Sequence, residues 1–349
     1  MSTPQISVVV PTYNRCDSLR VTLAGLARQD FTGSWELIVV SDGSTDGTKR
    51  VMDEFARSVS FPVRFIQQSN AGPARARNRG VSAARGEVIV FLDDDVEPAP
   101  TFVSHHASGH AGESRMAVIG PMLPDPKQRS AEPVWIGWEH AMLGKQYAAW
   151  RTGLWEGVGA HHFYSGNASV RREHLEAIGG FNETFGRQED VELAGRLEKE
   201  CGIRFRFDAE AVGIHRPVRS FAGWLKIPFA YGSLDVTRAH ADGGRTWERI
   251  QHGYHDRNRT TRFVADLCLR VPFLSGPIRS ALLFGAKAAY KAEKDSVAFA
   301  MLSAIYNVRY LEGVAKAIGG GSALHRVLFP ATAHEINTAV PEQQSAEVF

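Results

Sequence analysis

The sequence has few cysteines and no motif that would pair them. Of 349 residues only three are cysteine, Cys16, Cys201 and Cys268, and they lie far apart. Neither the spacing of a zinc site nor that of a redox pair occurs, so we expect free thiols in a reducing compartment. The first residues lack a basic segment followed by an apolar core, and they therefore predict no secretory leader and a cytoplasmic location.

Long apolar runs are also missing. The longest uncharged candidate, residues 296–308, is shorter than a membrane span and predicts a buried or interfacial helix. The formal net charge of +2 gives no general signal for a polyanionic partner, so we expect no nucleic-acid binding. A dinucleotide dehydrogenase is disfavoured because no G-x-G-x-x-G follows the first predicted strand.

Positive charge is concentrated in the last third of the sequence. Residues 221–330 hold 15 lysines and arginines against 8 acidic residues, whereas residues 1–220 hold 25 against 27. We therefore predict an α/β domain over residues 1–220, a basic helical extension over residues 221–330, and a disordered tail over residues 331–349. Apolar and basic positions recur at helical spacing within residues 276–318. They fit either contact with a membrane surface or packing as a bundle or homodimer.

Four short apolar runs alternate with helical segments in the first hundred residues. They are Ile6 to Val10, Trp35 to Val40, Val63 to Gln68 and Glu87 to Leu92. This alternation predicts a mostly parallel sheet with helices on both faces. Pro11 is expected to end the first strand. Ligands of such sheets bind at the carboxyl ends of the strands, so the loops that follow the runs become candidates for a site.

The loop after the fourth run begins with three consecutive aspartates, Asp93, Asp94 and Asp95. Alternate residues of an extended turn point the same way, so Asp93 and Asp95 could share a cation. Carboxylate oxygens suit a hard divalent ion such as Mg²⁺ or Mn²⁺. The alternative is a solvated acidic turn that caps the next helix.

The other loops read PTYNR, SDGSTDGT and QSNAGPARARNRG, and they carry both charges. Arg75, Arg77 and Arg79 begin a predicted helix after a glycine, which fits anion binding but also a solvated helix face. Asp42 is the acid at the end of the second run. It could accept hydrogen bonds from a nucleobase imide or cap a helix.

These four loops, in this order and spacing, resemble family 2 glycosyltransferases of the GT-A fold over roughly residues 5–220. The resemblance implies a donor half at about residues 1–100, an acceptor half at about residues 101–220, and inversion at the anomeric carbon by direct displacement. It also implies a nucleoside-diphosphate sugar as donor, with Mn²⁺ or Mg²⁺ on its diphosphate. The residues predicted to bind the donor are Pro11, Thr12, Tyr13, Arg15, Asp42, Asn70, Gly72, Arg75, Asn78, Asp93 and Asp94.

A later acidic pair, Glu189 and Asp190, opens a predicted amphipathic helix in the stretch FGRQEDVELAGRLEKE. An inverting transfer needs a base for the acceptor hydroxyl. The pair resembles the ED motif of the family, which implies Asp190 as the base with Glu189 supporting it. Acids in a first helical turn also occur for capping alone. His215 follows an apolar run, and it would either complete a metal site with Asp93 and Asp95, as in several relatives, or be structural.

The acceptor is expected between these motifs. Trp135, Trp138, Trp150 and Trp155 supply aromatic faces on which sugars can pack, although near-helical spacing of the first two fits ordinary packing. The stretch FYSGNASVRREHLEAIGGFNE resembles the strand–turn–helix that precedes the ED pair in the family. The residues predicted on the acceptor side are Trp155, Gly166, Asn167, Arg187 and Gln188.

The function predicted from the sequence is sugar transfer to a hydroxyl of a glycan or lipid-linked acceptor. The expected setting is cell-envelope polysaccharide or glycolipid synthesis, either free in the cytoplasm or peripheral at the inner face of the membrane. A nucleotidyltransferase that makes a sugar nucleotide and a non-catalytic sugar-nucleotide-binding module are the alternatives. The second is disfavoured because a binding module needs no base.

Overall fold

The computed structural model of the chain describes residues 4–129, 131–155, 157–241 and 244–329. The tail predicted at residues 331–349 lies outside the described residues. Within them, the strands are β1 Ile6–Thr12, β2 Trp35–Asp42, β3 Val63–Gln68, β4 Val88–Leu92, β5 Val96–Pro98, β6 Met116–Ile119, β7 Met122–Pro124, β8 Asn167–Arg171, β9 Arg204–Phe207 and β10 Gly213–His215.

The α-helices of the described residues alternate with these strands and then follow one another to the end. They are α1 Cys16–Leu26, α2 Thr48–Ser58, α3 Pro73–Ala83, α4 Phe102–Gly109, α5 Val134–Arg151, α6 Arg172–Ala177, α7 Glu189–Cys201, α8 Phe221–Ala241, α9 Arg245–His255, α10 Arg259–Arg270, α11 Pro272–Lys291, α12 Asp295–Ala317 and α13 Gly321–Leu328.

The main sheet has seven strands in the order β3-β2-β1-β4-β8-β6-β9. The four strands predicted from the first hundred residues lie side by side and run parallel. β8 runs antiparallel between β4 and β6, and β9 pairs parallel with β6. The predicted fold class, a mostly parallel α/β sheet followed by a helical extension, is confirmed.

Buried apolar residues cover both faces of this sheet. Successive residues of β1 alternate between two clusters, with Val9 packed beside Ala74 of α3 and Val8 packed beside Leu19 and Leu23 of α1. A strand whose two faces are both buried reads as a continuous apolar run, and ISVVV has that pattern. Because β1 to β4 run parallel, their carboxyl ends lie at one edge of the sheet.

The expectation that Pro11 ends the first strand is wrong. β1 continues through Pro11 to Thr12 and pairs with β2 along its whole length. It pairs with β4 only over Ile6–Val9. Since proline lacks an N–H group, it is tolerated where a strand has no neighbour to donate to, and Pro11 lies beyond the β4 pairing.

A second sheet brings the end of β10 to the acidic loop. Its order is β5-β10-β7, and β10 runs antiparallel to β5. In this register His215 lies opposite Val96, the residue after Asp95. The Arg216 backbone N–H donates to the Asp95 carbonyl at 2.8 Å and extends the pairing by one step.

The described residues fall into two compact units. The first comprises the chain up to Ala131 with Glu139–Val218, and the second comprises Glu132–Trp138 with the chain from Arg219 onwards. In the second unit α8 and α12 pack without side chains between them, since a Cβ on Gly313 would lie 2.0 Å from the Phe229 carbonyl oxygen. Among the described helices, none has the length and apolar character needed to cross a membrane.

Two of the four tryptophans considered for the acceptor are packing residues of the second unit. The Trp138 ring meets the Trp224 ring edge-on at 5.5 Å, and its Nε1–H donates to the Ser303 hydroxyl at 2.9 Å. The Trp135 Nε1–H donates to the Arg219 carbonyl at 3.0 Å. Their helical spacing therefore reflects packing.

We predict that Gly80→Ala destabilises the first unit, because α3 crosses β1 without room for a side chain there. A Cβ on Gly80 would lie 2.3 Å from Val9 Cγ1, whereas one on Gly195 in α7 would meet nothing within 4 Å. Overpacking of this kind costs about 1–3 kcal/mol, and an unhindered glycine-to-alanine change in a helix gains about 0.5–1 kcal/mol. Chemical denaturation measures the free energy of unfolding of each variant. Equal effects of Gly80→Ala and Gly195→Ala would contradict close packing of α3 on the sheet.

Candidate active site

The three aspartates after β4 divide between two cations of the chain. The Thr12 hydroxyl donates to Asp94 Oδ2 at 2.7 Å, so Asp94 faces the end of β1. The Arg15 Nη1 atom lies 3.1 Å from Asp94 Oδ1 and 3.0 Å from Asp95 Oδ2. Asp93 turns the other way, towards Arg77 of α3, at 2.8 Å. Two cations of the chain thus offset the charges that the sequence places together.

Asp94 is the most enclosed of the three. It is 4% exposed, and burial raises its pKa to about 6. The Arg15 charge opposes this rise, and the neighbouring charge of Asp95 adds to it. The Thr22 hydroxyl also donates to the Asp94 carbonyl at 2.9 Å, which anchors the turn on α1.

Arg77 joins the acidic turn to the first residues of α7. Its guanidinium donates to Asp93 Oδ1 at 2.8 Å and to Glu189 Oε1 at 2.9 Å. Only 5% of the residue is exposed. Burial alone would lower the pKa of Arg77, but the charges of Asp93, Glu189 and Asp190 outweigh it and raise the pKa. The ion pairs therefore keep Arg77 charged inside the fold.

Asp190 lies beside this bridge, at the start of α7. Its Oδ1 accepts from its neighbour's backbone, the Val191 N–H, at 2.8 Å, and its Oδ2 lies 3.4 Å from the Ser165 nitrogen. Burial raises the pKa of Asp190 to about 6, the charge of Glu189 adds to the rise, and Arg77 opposes it. A carboxylate with this pKa is ionised at neutral pH and is a stronger base than an ordinary aspartate.

A glycine allows the chain before β8 to approach the acidic turn. The Asp93 N–H donates to the Gly166 carbonyl at 3.2 Å. A Cβ on Gly166 would lie 2.8 Å from Asp93 Oδ2 and 3.0 Å from Met122 Sδ. Gly166 therefore stands between the donor-side acids and Ser165, the neighbour of Asp190.

Several predicted donor residues lie around the same edge. Thr12 and Arg15 contact the acidic turn as described, Pro11 is half-buried at the end of β1, and Tyr13 is 48% exposed beside them. The loop is held by Asn14, which has a φ of 52° and accepts from the Thr45 N–H at 2.8 Å. The ends of β1 and β2 are thus tied together.

Asp42 is occupied by its own chain. Its Oδ1 accepts from the Gln68 side chain at 2.8 Å and from the Ala71 N–H at 2.9 Å, and its Oδ2 accepts from the Gly72 N–H at 2.8 Å. The Asn70 side chain donates to the Asp42 carbonyl at 3.1 Å. Asp42 therefore fixes the turn before α3, and a nucleobase would have to share a carboxylate that already accepts three hydrogen bonds.

The remaining donor candidates on α3 face the 181–183 loop. Asn78 donates to the Phe181 carbonyl at 2.9 Å and accepts from the Phe181 N–H at 2.8 Å. Arg75 is exposed and lies 3.9 Å from Glu183. In this structure both residues contact the loop before α7 rather than the acidic turn.

The predicted metal ligands are brought only partly together. His215 Nε2 lies 3.7 Å from Asp95 Oδ1, while Asp93 is paired with Arg77. Across residues 4–129, 131–155, 157–241 and 244–329, no group of three or more histidine, cysteine or acidic side chains is placed to hold a metal ion. The three-ligand set stays a prediction, and Asp95 with His215 forms the pair that the geometry offers.

The acceptor candidates are spread over different environments. Trp155 is 48% exposed and Arg187 is exposed, whereas Gln188 has a φ of 60° and precedes α7 as its N-cap. Asn167 is wholly buried, and its amide donates to the Pro121 and Ala211 carbonyls at 3.0 and 2.8 Å. Asn167 therefore connects three segments of the chain and does not reach a surface where an acceptor could touch it.

Arg77 is the site residue that the predicted donor set lacks. A signal for it exists in the sequence, because Arg77 falls between Ala74 and Val81 on the apolar face of α3, while Arg75 and Arg79 fall on the opposite face. An arginine on a buried helix face needs acidic partners. Asp93 and Glu189 are those partners.

Comparison with known proteins identifies this fold and sequence pattern. Residues 7–179 match the family described as Glycosyl transferase family 2. An uncharacterised glycosyltransferase of Bacillus subtilis, YfnE, is 26% identical over 255 residues, which cover 60% of this chain and 64% of that protein. Validoxylamine A glucosyltransferase of Streptomyces hygroscopicus subsp. jinggangensis is 30% identical over 246 residues, which cover 61% of this chain and 56% of that protein.

A solved structure shares the fold over most of both chains. It is the mannosyltransferase PcManGT from Pyrobaculum calidifontis in complex with GDP-Man and Mn²⁺, with a TM-score of 0.57 and 23% identity over 89% of this chain and 88% of that chain. The match of residues 7–179 supports the predicted family, and the solved structure supports the fold. Inversion and metal dependence remain predictions. This chain therefore carries a glycosyltransferase domain of family 2 with a GT-A-like fold.

Proposed function

We propose that the chain transfers a sugar from a nucleoside-diphosphate sugar to a hydroxyl of a glycan or lipid-linked acceptor, with inversion at the anomeric carbon. The observation that carries the proposal is the Arg77 bridge, which joins Asp93 of the acidic turn to Glu189 beside Asp190. Groups suited to a diphosphate and a group suited to proton transfer are thereby held at one edge of the sheet.

Asp190 rather than Glu189 is the better base. Glu189 is 8% exposed and is paired with Arg77 at 2.9 Å, so its charge is already offset. The hydrogen bonds to Asp190 come from the backbone N–H groups of Val191 and Ser165, and its pKa of about 6 suits a base at neutral pH. Glu189 acts through Asp190, because its negative charge contributes to that raised pKa.

The proposed reaction makes one bond and breaks one at the anomeric carbon. The acceptor oxygen forms a bond to that carbon from the face opposite the diphosphate, and the bond to the diphosphate oxygen breaks. The proton of the acceptor hydroxyl moves to Asp190, and the nucleoside diphosphate leaves with the bonding electron pair. Arg15, partly exposed beside Asp94 and Asp95, supplies positive charge on the donor side.

The pair of possible metal ligands, Asp95 and His215, fits a divalent metal ion that also binds the substrate. Asp95 and His215 supply an oxygen and a nitrogen donor 3.7 Å apart. Metal sites of nucleotide enzymes commonly use one or two protein ligands and complete their shell with phosphate oxygens. When bound, such an ion would supply positive charge to the diphosphate. The solved relative with GDP-Man and Mn²⁺ supports the choice of ion.

We predict that Asp190→Asn lowers kcat by about 10²–10⁴-fold, because the amide cannot take the acceptor proton. The dissociation constant for the nucleoside diphosphate should stay within about threefold, since the Asp190 carboxylate bonds to the backbone of Val191 and Ser165 and not to the acidic turn. Steady-state kinetics and calorimetry on the same preparation measure the two quantities. Glu198→Gln, an exposed acid on the same helix, is the matched control and should leave both unchanged.

A near-normal kcat in the Asp190→Asn enzyme would move the base elsewhere. A large loss of nucleotide affinity in a folded Asp190→Asn variant would instead assign Asp190 to the donor.

The raised pKa of Asp190 also predicts a pH-dependent stability difference between the wild type and Asp190→Asn. Between the ordinary value of 3.8 and about 6, the folded protein holds a proton that the unfolded chain has lost. The stabilising contribution of protonated Asp190 is therefore present at pH 4 and is lost as the pH rises through about 6. Glu189, Arg77 and Tyr164 face this group and are the same in both proteins.

The free energy of unfolding of Asp190→Asn should therefore increase relative to that of the wild type as the pH rises from 4 to 7. The total change should be at most about 3 kcal/mol. Urea denaturation at four pH values measures the difference. The wild-type kcat/KM should rise through about pH 6, since the base must be ionised. A stability difference that does not change with pH would show that Asp190 titrates normally.

We predict that Arg77→Met destabilises the protein by about 3–5 kcal/mol, because it leaves Asp93 and Glu189 without their shared cation. Arg77→Lys keeps the charge but cannot donate to both carboxylates in a fork, so it should restore stability only in part. Arg79→Met is the matched control, since Arg79 lies exposed on the same helix and should stay within about 0.5 kcal/mol of wild type. Equal unfolding free energies of the two methionine variants would rule out the bridge as a structural link.

A further inference from the structure

Exposed phenylalanines distinguish the second unit. Phe263, Phe273, Phe284 and Phe329 have 67%, 78%, 78% and 45% of their surface exposed. Single exposed apolar residues are common and need no explanation. Three of these four, however, lie on the neighbouring helices α10 and α11. Phe273 and Phe284 are eleven residues apart on α11, which is close to three helical turns.

One side of α11 combines phenylalanine with lysine. At 100° per residue, Phe273, Phe284, Lys287 and Lys291 fall within a sector of about 60°, and all four are exposed. We call these four residues the α11 stripe. The other side of the helix faces its own unit, where Ser275 and Ala286 are buried and Arg279 pairs with Glu312 at 2.9 Å. The twenty residues of α11 include no aspartate or glutamate.

The adjacent helix α10 repeats this combination. Arg259, Phe263 and Arg270 are exposed and fall within a sector of about 40°, opposite the buried Thr261, Ala265 and Cys268. Asp266 lies about 20° outside this sector, and it accepts a hydrogen bond from the Tyr254 hydroxyl at 2.7 Å. α10 and α11 contact each other within the unit. The exposed surface of the pair is therefore aromatic and basic.

We propose that the α11 stripe, with the exposed side of α10, docks on an anionic lipid bilayer. Phenylalanine rings would enter the boundary between headgroups and acyl chains, and the lysines and arginines would contact lipid phosphates. The proposal rests on the second unit alone and does not depend on sugar transfer.

The charge of the stripe favours a lipid surface over a second copy of the chain. A symmetric dimer would bring the same patch of both copies together and so concentrate four lysines, two from each copy, in one interface. Lysine is also depleted at the centres of protein interfaces. An anionic bilayer offers the opposite charge to every cation of the stripe, and it accommodates phenylalanines that are about 16 Å apart along the helix.

The test is co-sedimentation of the full chain with two kinds of vesicle. The first contains only neutral phosphatidylcholine. The second also contains phosphatidylglycerol at roughly 30%, which gives it the negative surface of an anionic leaflet. We expect binding to the anionic vesicles, release by salt, and little binding to the neutral ones. Lys287→Gln/Lys291→Gln should lower the partition coefficient about twenty-five-fold, since each lysine near an anionic surface contributes about fivefold. Phe273→Ser/Phe284→Ser should also lower it.

Lys127→Gln/Lys199→Gln is the control with the same change of charge at exposed positions of the first unit. It should retain binding. Lys287 Nζ also lies 5.8 Å from the Trp135 ring, so thermal denaturation must show each variant folded. The proposal is overturned by the absence of vesicle binding, by equal binding to neutral vesicles, or by an equal loss in the control. It is also overturned if light scattering shows a wild-type dimer that the Phe273→Ser/Phe284→Ser variant dissociates.

Discussion

The Arg77 guanidinium is the interaction on which the rest of the candidate site depends. It lies buried between the sheet and α7 and donates to Asp93 on one side and to Glu189 on the other. Without it, the buried Glu189 carboxylate would lose its partner and face Asp93, which comes from a segment almost a hundred residues away. A buried charge without a partner costs several kcal/mol. The same ion pairs that stabilise the fold therefore bring the acidic turn and Asp190 to one edge of the sheet.

The site also separates its acids by their surroundings. Asp93 and Glu189 are paired with Arg77, and Asp95 lies between Arg15 and His215. Asp190 lies near Arg77 but accepts backbone N–H groups, and burial raises its pKa to about 6. Carboxylates with different partners can take different parts in one reaction, and this difference supports a donor role for the first group and proton transfer for Asp190.

The sequence predicts the first four strands well because three of them, β1, β2 and β4, are short apolar runs buried on both faces. The loops after these strands do converge. It predicts contacts less well. Asp42 accepts from the backbone of Ala71 and Gly72, and Asn167 donates to the backbone of Pro121 and Ala211. Backbone groups leave no signature in a sequence, so a polar side chain that serves the fold resembles one that serves a ligand. In the sequence, only its position on the apolar face of α3 distinguishes Arg77 from Arg75 and Arg79.

A thermal-shift titration with nucleoside diphosphates, with and without Mn²⁺, tests the central claim most directly. The account predicts that one nucleoside diphosphate stabilises the protein by about 2.7 kcal/mol at a hundred times its dissociation constant, that Mn²⁺ increases its affinity, and that Asp95→Asn removes the increase. Stabilisation that is independent of Mn²⁺, or a gain from Mn²⁺ that survives in Asp95→Asn, would contradict a donor site built on the acidic turn.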